Sequence, residues 1–321
     1  MPLNKNTYKA PFLMRSAHLN TIIPNQLRQI KEVKYNRHRL ELSDGDFVDL
    51  DFSVKNSNCI VLILHGLEGD SSRAYAKGIV RQANSKEWDA CVLNQRGCSG
   101  EPNRLLKSYH SGRTDDLKYV VNWLITEKKY QTIYLAGISI GGNMTLKYLG
   151  EEGVNTPSEI KAAVAISVPV DLYSSVKELA KKSNWIYMRR FLKTLKSKAI
   201  QKVEQHPSWN GNLPAVLQSK SFRDFDHNFT APINGFASGE DYWTKNSSLP
   251  FIPSIKIPTL LITSFDDPFL GPECYPIKEA KESKHFHLMT TEHGGHVGFV
   301  SNMRLTEKQW MEEEMFRFFQ N

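Results

Sequence analysis

The stretch Thr132-Ile133-Tyr134-Leu135-Ala136-Gly137-Ile138-Ser139-Ile140-Gly141-Gly142 constrains this chain more than any other. An apolar, strand-like run enters Gly-x-Ser-x-Gly, and a helical pattern follows it. This strand–turn–helix arrangement is a nucleophile elbow. The turn is so tight that the serine takes a strained backbone conformation and its flanking positions must be small, which Gly137 and Gly141 satisfy. The Ser139 hydroxyl then projects over the edge of a sheet. The N–H of Ile140 falls beside a helix N-terminus, where an anionic oxygen is stabilised. Five residues of this kind recur by chance; the strand before and the helix after give the motif its weight.

A serine hydroxyl is a poor nucleophile until a base takes its proton. Around such an elbow the partners follow in the order serine, acid, histidine. The buried run Pro258-Thr259-Leu260-Leu261-Ile262-Thr263-Ser264 ends in Phe265-Asp266-Asp267-Pro268. The next strand-like run, His285-Phe286-His287-Leu288-Met289, leads to Thr290-Thr291-Glu292-His293-Gly294-Gly295-His296. Asp267, directly before Pro268, is the better-placed acid, because the loop turns there and can aim its carboxylate back; Asp266 is the alternative. His296 is preferred to His293, because Gly294 and Gly295 let the loop bring the next residue over the serine. A second oxyanion donor should come from the loop after Cys59-Ile60-Val61-Leu62-Ile63-Leu64, which reads His65-Gly66-Leu67-Glu68-Gly69. Gly66 lets the backbone approach closely, the Leu67 N–H is the natural donor, and His65, upstream of the serine, reads as loop support rather than as the base.

These motifs, with His18-Leu19-Asn20-Thr21-Ile22, Asn94-Gln95-Arg96-Gly97-Cys98-Ser99-Gly100, Tyr109-His110-Ser111-Gly112-Arg113-Thr114-Asp115-Asp116, Asp266-Asp267-Pro268-Phe269 and His293-Gly294-Gly295-His296-Val297-Gly298-Phe299, resemble the YheT-like branch of the α/β-hydrolases. That branch also includes eukaryotic lipid esterases of the ABHD group. The resemblance spans nearly the whole chain and implies a triad of Ser139, Asp267 and His296. It further implies carboxylesterase or lipase chemistry.

At 321 residues and 40% hydrophobic, the chain suits one large α/β domain. The expected architecture is a mostly parallel central sheet with helices on both faces and a helical cap insertion. Residues 33–42 and 47–54 read as a leading hairpin, and strands follow near 60–64, 90–94, 132–136, 162–168, 259–264 and 285–289. Helical runs lie near 72–86, 113–128 and 141–151, with a terminal helix near 305–319. No apolar run approaches the roughly 20 residues that span a bilayer. Residues 1–9 are polar and lack the apolar core of a signal peptide. Cys59, Cys91, Cys98 and Cys274 suggest neither a disulfide framework nor metal spacing, so a cytoplasmic location is expected, with no metal and no cofactor.

The interval 171–250 breaks the strand–helix rhythm and is the expected cap. Within it Trp185, Met188, Leu192, Leu195 and Ala199 share one helical face, and Arg189, Arg190, Lys193, Lys196 and Lys198 share another. Residues 175–202 hold nine lysines or arginines against one acid, Glu178, whereas the whole chain carries +7. A solvated basic face explains this, and contact with an anionic membrane surface or an acidic amphiphile is the sharper reading. No known nucleic-acid module accompanies the charge, and none is expected to bind. His110 and Asp115 match the spacing of an acyltransferase pattern, but Thr114, Asp115 or Asp116 reads better as the cap of the following helix. Arg96 reads as the anchor of a turn. The expected function is a serine esterase acting through an acyl-enzyme on lipid or short-chain acyl esters. The alternatives are a thioesterase or acyltransferase using the same triad, or a binding protein on this fold.

Overall fold

A computed structural model describes residues 6–321 of the chain, so the first five residues of the polar leading stretch lie outside it. The strands are β1 (Asn36–Glu41), β2 (Phe47–Ser53), β3 (Cys59–Leu64), β4 (Asp89–Asn94), β5 (Thr132–Ile138), β6 (Ile160–Ile166), β7 (Thr259–Ser264) and β8 (Phe286–Thr291). They form one sheet in the order β1-β2-β4-β3-β5-β6-β7-β8. The leading hairpin pairs antiparallel, β2 runs antiparallel to β4, and every later pairing is parallel. The parallel strands are buried on both faces, which is why they read as unbroken apolar runs. The edge strand β1 is mostly exposed and charged. Its Arg37 and Arg39 pair across to Asp51 and Asp49 of β2 at 2.7 and 2.9 Å, which protects the edge from further strand pairing.

Helices cover both faces. After α1 (Ala17–Leu27), the helices α2 (Ala74–Asn84), α3 (Asp115–Thr126) and α4 (Ile140–Glu152) each follow a strand. Alternate strand residues, such as Leu62, Leu64 and Leu135, pack with Leu117, Val121 and Met144 of α3 and α4. Their neighbours Val61, Ile63 and Ile138 pack on the opposite face with Ile79 of α2 and with residues of the last helix.

Between β6 and β7 lie α5 (Leu172–Leu179), α6 (Trp185–Gln205), α7 (Leu213–Gln218), α8 (Phe222–Phe225), α9 (Ala231–Asn234) and α10 (Gly239–Asn246). A π-helical turn, Asp226–Thr230, joins α8 to α9. The apolar face of α6 is buried at Met188, Leu192 and Ala199, which pack with Phe222, Phe225 and Phe229. Trp185, expected on that face, is instead 57% exposed, because it opens the helix before the stripe turns inward. Lys198, expected in solvent, points into the molecule and pairs with Glu68 at 2.9 Å.

The chain closes with α11 (Ile277–Glu282) and α12 (Trp310–Phe319). The last helix starts later than its periodicity suggests, because a Gln309–Glu312 capping box fixes its first turn. Residues 305–309 are loop, and the Leu305 and Glu307 carbonyls accept bonds from Arg28, just past α1. The same guanidinium meets Glu312 at 2.6 Å, with side-chain exposures of 4% and 0%. One ion pair thus ties the first helix to the last. Removing one partner of such a pair strands a buried charge. The Arg28→Met variant is expected to lose about 3 kcal/mol of unfolding free energy in urea, the low end of the usual range, because Arg81 still lies 3.9 Å from Glu312.

Candidate active site

Ser139 sits between β5 and α4 with φ +55° and ψ −121°, a region that L-residues rarely occupy. The glycines around it have no room for a side chain. A Cβ on Gly141 would stand 2.4 Å from the Leu64 carbonyl oxygen and 2.6 Å from that of His65. One on Gly137 would meet the Gly142 Cα at 2.6 Å. The tight elbow therefore rests on α4 coming within backbone contact of the end of β3.

His296 Nε2 lies 3.0 Å from Ser139 Oγ. Its Nδ1 lies 2.9 Å from Asp267 Oδ2 and 3.1 Å from Oδ1. A carboxylate accepts at Nδ1–H, which leaves Nε2 free to accept the serine proton. The Asp267 side chain is fully buried, and its Oδ1 also accepts from the Phe269 N–H at 2.9 Å. Burial pushes its carboxyl upward, and the neighbouring His296 ring and the Phe269 N–H pull against that. Asp266 points elsewhere: its Oδ1 accepts from the Gly295 N–H at 2.9 Å, so it braces the loop that bears His296. His293 is 3.6 Å from Asp266 and outside the Ser139 contact.

That loop is held from distant parts of the chain. The His296 N–H donates to Thr21 Oγ1 at 2.8 Å, and the Val300 N–H donates to Asn20 Oδ1 at 3.1 Å. The Val297 N–H donates to Ser167 Oγ at 3.0 Å. Ser139, Ser167, Glu68, Val297 and Phe299 all carry positive φ, so backbone strain gathers around the site. Asn20 and Thr21 stand out in the sequence only as part of His18-Leu19-Asn20-Thr21-Ile22; their bonding role has no local signature. Phe269 likewise has none, yet its ring lies 4.2 Å from that of His296.

The loop after β3 brings Leu67 to the same place. Gly66 comes so close to Ser139 that a Cβ would stand 3.2 Å from the serine Cβ. Among the described residues neither the Leu67 nor the Ile140 N–H has a protein acceptor. Glu68 fixes the loop: its N–H donates to Tyr109 Oη at 3.0 Å, Tyr109 donates back to Glu68 Oε1 at 2.7 Å, and Lys198 of α6 meets the same oxygen. His65 Nε2 accepts from the Gln95 N–H at 3.0 Å, so Nδ1 carries the proton and donates to the Gly66 carbonyl at 2.8 Å. Full burial lowers its pKa to about 4, and the ring stays neutral.

A family profile described as "alpha/beta hydrolase fold" matches residues 60–302. The chain belongs to that family. It is 37% identical over 310 residues to an Escherichia coli K12 protein named "Putative esterase YheT", covering 94% of this chain and 89% of the other. It is 29% identical over 297 residues to human "Phospholipase ABHD3", covering 90% of this chain and 72% of that one. The solved structure of the Pyrococcus furiosus esterase Pf2001 shares the fold, with a TM-score of 0.60 at 17% identity over 92% of this chain and 97% of that one.

In this α/β-hydrolase a cavity of about 430 Å³ opens between Ser139 and the inserted helices. Leu172, Val176, Phe191, Phe222, Phe225 and Phe229 give it an apolar wall. Asp226 interrupts that wall, with its carboxyl pushed up to about 6 by burial, and accepts from Trp243 Nε1 at 2.8 Å. His110 also borders the cavity, packed edge-on against Phe236 and Tyr242. Asp115, which matches it only in spacing, pairs with Arg113 at 3.0 Å. Thr114 does stand at the N-cap of α3, but its side chain makes no capping bond and reaches Glu151. Asp116 is also no cap: it pairs with Arg96 at 2.6 Å, and Arg96 reaches Asp44 and Asp46 as well, so that arginine does anchor its turn. Among the described residues no group of carboxylates, cysteines and histidines is spaced to hold a metal, and no helix is long and apolar enough to cross a membrane.

Because His65 is neutral when folded and protonates near its ordinary value when unfolded, the unfolded chain binds more protons between about pH 6.5 and about pH 4. Stability should fall as pH drops through that window. Urea titrations across it are expected to show a shallower decline for His65→Gln than for the unaltered protein.

Proposed function

We propose that this chain is a carboxylic ester hydrolase in which Ser139, His296 and Asp267 act as a catalytic triad. The observation that carries the reading is the unbroken contact from Ser139 Oγ to His296 Nε2 at 3.0 Å and from His296 Nδ1 to Asp267 at 2.9 Å, at the mouth of an apolar cavity. Ser139 attacks the ester carbonyl as His296 accepts its proton. Asp267 holds the ring tautomer and stabilises the imidazolium. The Leu67 and Ile140 N–H groups receive the negative oxygen of the tetrahedral intermediate. His296 then protonates the leaving alcohol, and an acyl group remains on Ser139. Water, activated by the same histidine, releases the acid. The names of the esterase and phospholipase relatives support this substrate class. The apolar wall of the cavity suits a hydrocarbon acyl chain.

Surface chemistry supports a lipid substrate met at a membrane surface. Phe12 is 82% exposed, and Leu13, Trp185 and Ile186 are also exposed. His18, close behind Phe12 and Leu13 in sequence, bonds Tyr187, directly after Trp185 and Ile186, at 3.0 Å. The start of α1 is thereby tied to the start of α6, where Trp185 and Ile186 stand beside the exposed cations Arg189, Arg190 and Lys193. Apolar side chains amid cations suit the interface of an anionic bilayer.

Ser139→Ala should abolish both p-nitrophenyl butyrate hydrolysis and fluorophosphonate labelling; labelling at another serine would reject the nucleophile. Asp267→Asn should lower kcat by about four orders of magnitude, as loss of the correct histidine tautomer does. Asp266→Asn should cost far less, since it only loosens a loop.

A sedimentation assay with phosphatidylglycerol vesicles tests the membrane contact. Binding is expected at low salt and should fade as salt screens the charges. It should weaken when Trp185, Ile186, Arg189 and Lys193 are replaced by Ser, Ser, Gln and Gln. Absence of binding at low salt would reject the surface reading.

A further inference from the structure

Ser139 and His296 border a second cavity, of about 210 Å³, between α1 and the first half of α6. An ester has two halves, and they diverge at the carbonyl that the serine attacks. The larger cavity has a wall of phenylalanines and aliphatic side chains that suits the acyl half, and its cations are already engaged, Lys198 by Glu68, Lys202 by the Asn103 and Leu105 carbonyls and Arg96 by Asp44, Asp46 and Asp116. The smaller one has a different chemistry. Arg73 and Arg190 line it together with Leu67 and Tyr75. Arg73 donates one nitrogen to the Glu68 carbonyl at 2.5 Å, and among the described residues it has no carboxylate within ion-pair distance. Arg190, exposed at the rim on α6, has neither a carboxylate nor a hydrogen-bond acceptor among the described residues. The third arginine of this cavity, Arg28, is already spent on Glu312 and two carbonyls. Glu68, the acid that borders the cavity, has its charge engaged by Lys198 at 2.9 Å.

We infer that the smaller cavity is an alcohol-side subsite for an ester whose alcohol half carries an oxyanion, a phosphate, phosphodiester or carboxylate, gripped by Arg73 and Arg190. A guanidinium presents a planar fork of donors that matches such a group. Arg73 is half-buried, which strengthens its attraction relative to open water, and Arg190 adds a second charge at the rim. The geometry also serves the chemistry. His296 borders this cavity and gives its proton to the alcohol oxygen, so an anion held there keeps that oxygen within reach of the histidine. This inference rests on the ester-hydrolase reading above and adds to it the polarity of the leaving group.

The test compares 1-butyrylglycerol with 1-butyrylglycerol 3-phosphate, which share an acyl group and differ only in the phosphate. The unaltered protein is expected to favour the phosphate ester by about tenfold or more in kcat/KM, the scale of one or two charge-assisted bonds. That ratio should fall about tenfold in Arg190→Gln, whose side chain is at the surface, and further in the Arg73→Gln/Arg190→Gln pair. It should also shrink with rising salt. Equal ratios in the variants and the unaltered protein overturn the inference. A binding arm separates it from the hydrolase reading: calorimetry of glycerol 3-phosphate with Ser139→Ala should show binding that Arg190→Gln in the same background weakens. If neither ester is cleaved but that binding persists, the subsite stands and the reaction assignment falls. If the esters are cleaved without phosphate preference and no binding is seen, the subsite falls alone. Long-chain phosphatidylglycerol in vesicles, run beside the soluble phosphate ester, tells a bilayer headgroup from a free phosphomonoester as the source of the anion; both outcomes keep the subsite.

Discussion

The closeness of α4 to β3 governs everything else in this molecule. Gly141 lies against the Leu64 and His65 carbonyls with no space for even a methyl group. Only that approach lets the chain reverse at Ser139 with φ +55° and lift the hydroxyl clear of the sheet. It also sets the Ile140 N–H beside the loop that carries Leu67. His65, neutral and bonded at both nitrogens, holds that loop from beneath. A wider gap would relax the serine, separate the two N–H groups and remove the preorganisation on which such a site depends.

The rest of the site is assembled by long-range polar contacts rather than by local geometry. The histidine loop is bonded to Thr21 and Asn20 near the start of the chain, to Ser167 after β6 and to Asp266 after β7. The loop that carries Leu67 is braced by Tyr109 and, across the cavity, by Lys198. The inserted helices are thus more than a roof: together they supply the hydrophobic wall, and α6 adds a cation that holds Glu68 and an arginine at the rim of the second cavity.

Much of this was legible in the residues. The elbow could be read because its glycines are demanded by sterics, and the sheet because buried parallel strands are nearly all apolar. The order serine, aspartate, histidine followed from the elbow, and of the two adjacent aspartates it is Asp267 that contacts His296. What stayed hidden depends on tertiary partners. Lys198 reads as a solvent-facing cation on a basic stripe, and only its meeting with Glu68 turns it inward. Trp185 has the right spacing for the buried face, but the helix presents its first residue to solvent. Thr114 has the composition of a capping residue, and Glu151 claims its hydroxyl instead. Nothing near Arg28 announces that its carboxylate partner lies almost at the other end of the chain.

That last tie has a consequence for how the protein comes to life on the ribosome. The strand that leads to Ser139 and the one that leads to Asp267 can form while the remainder is still being translated. The histidine loop, though, is pinned to α1, and α1 is clasped to α12 through Arg28 and Glu312. The nascent polypeptide would hold Ser139 on its elbow long before His296 was seated beside it. The contact between the two would be completed late, once α12 had left the exit tunnel and docked.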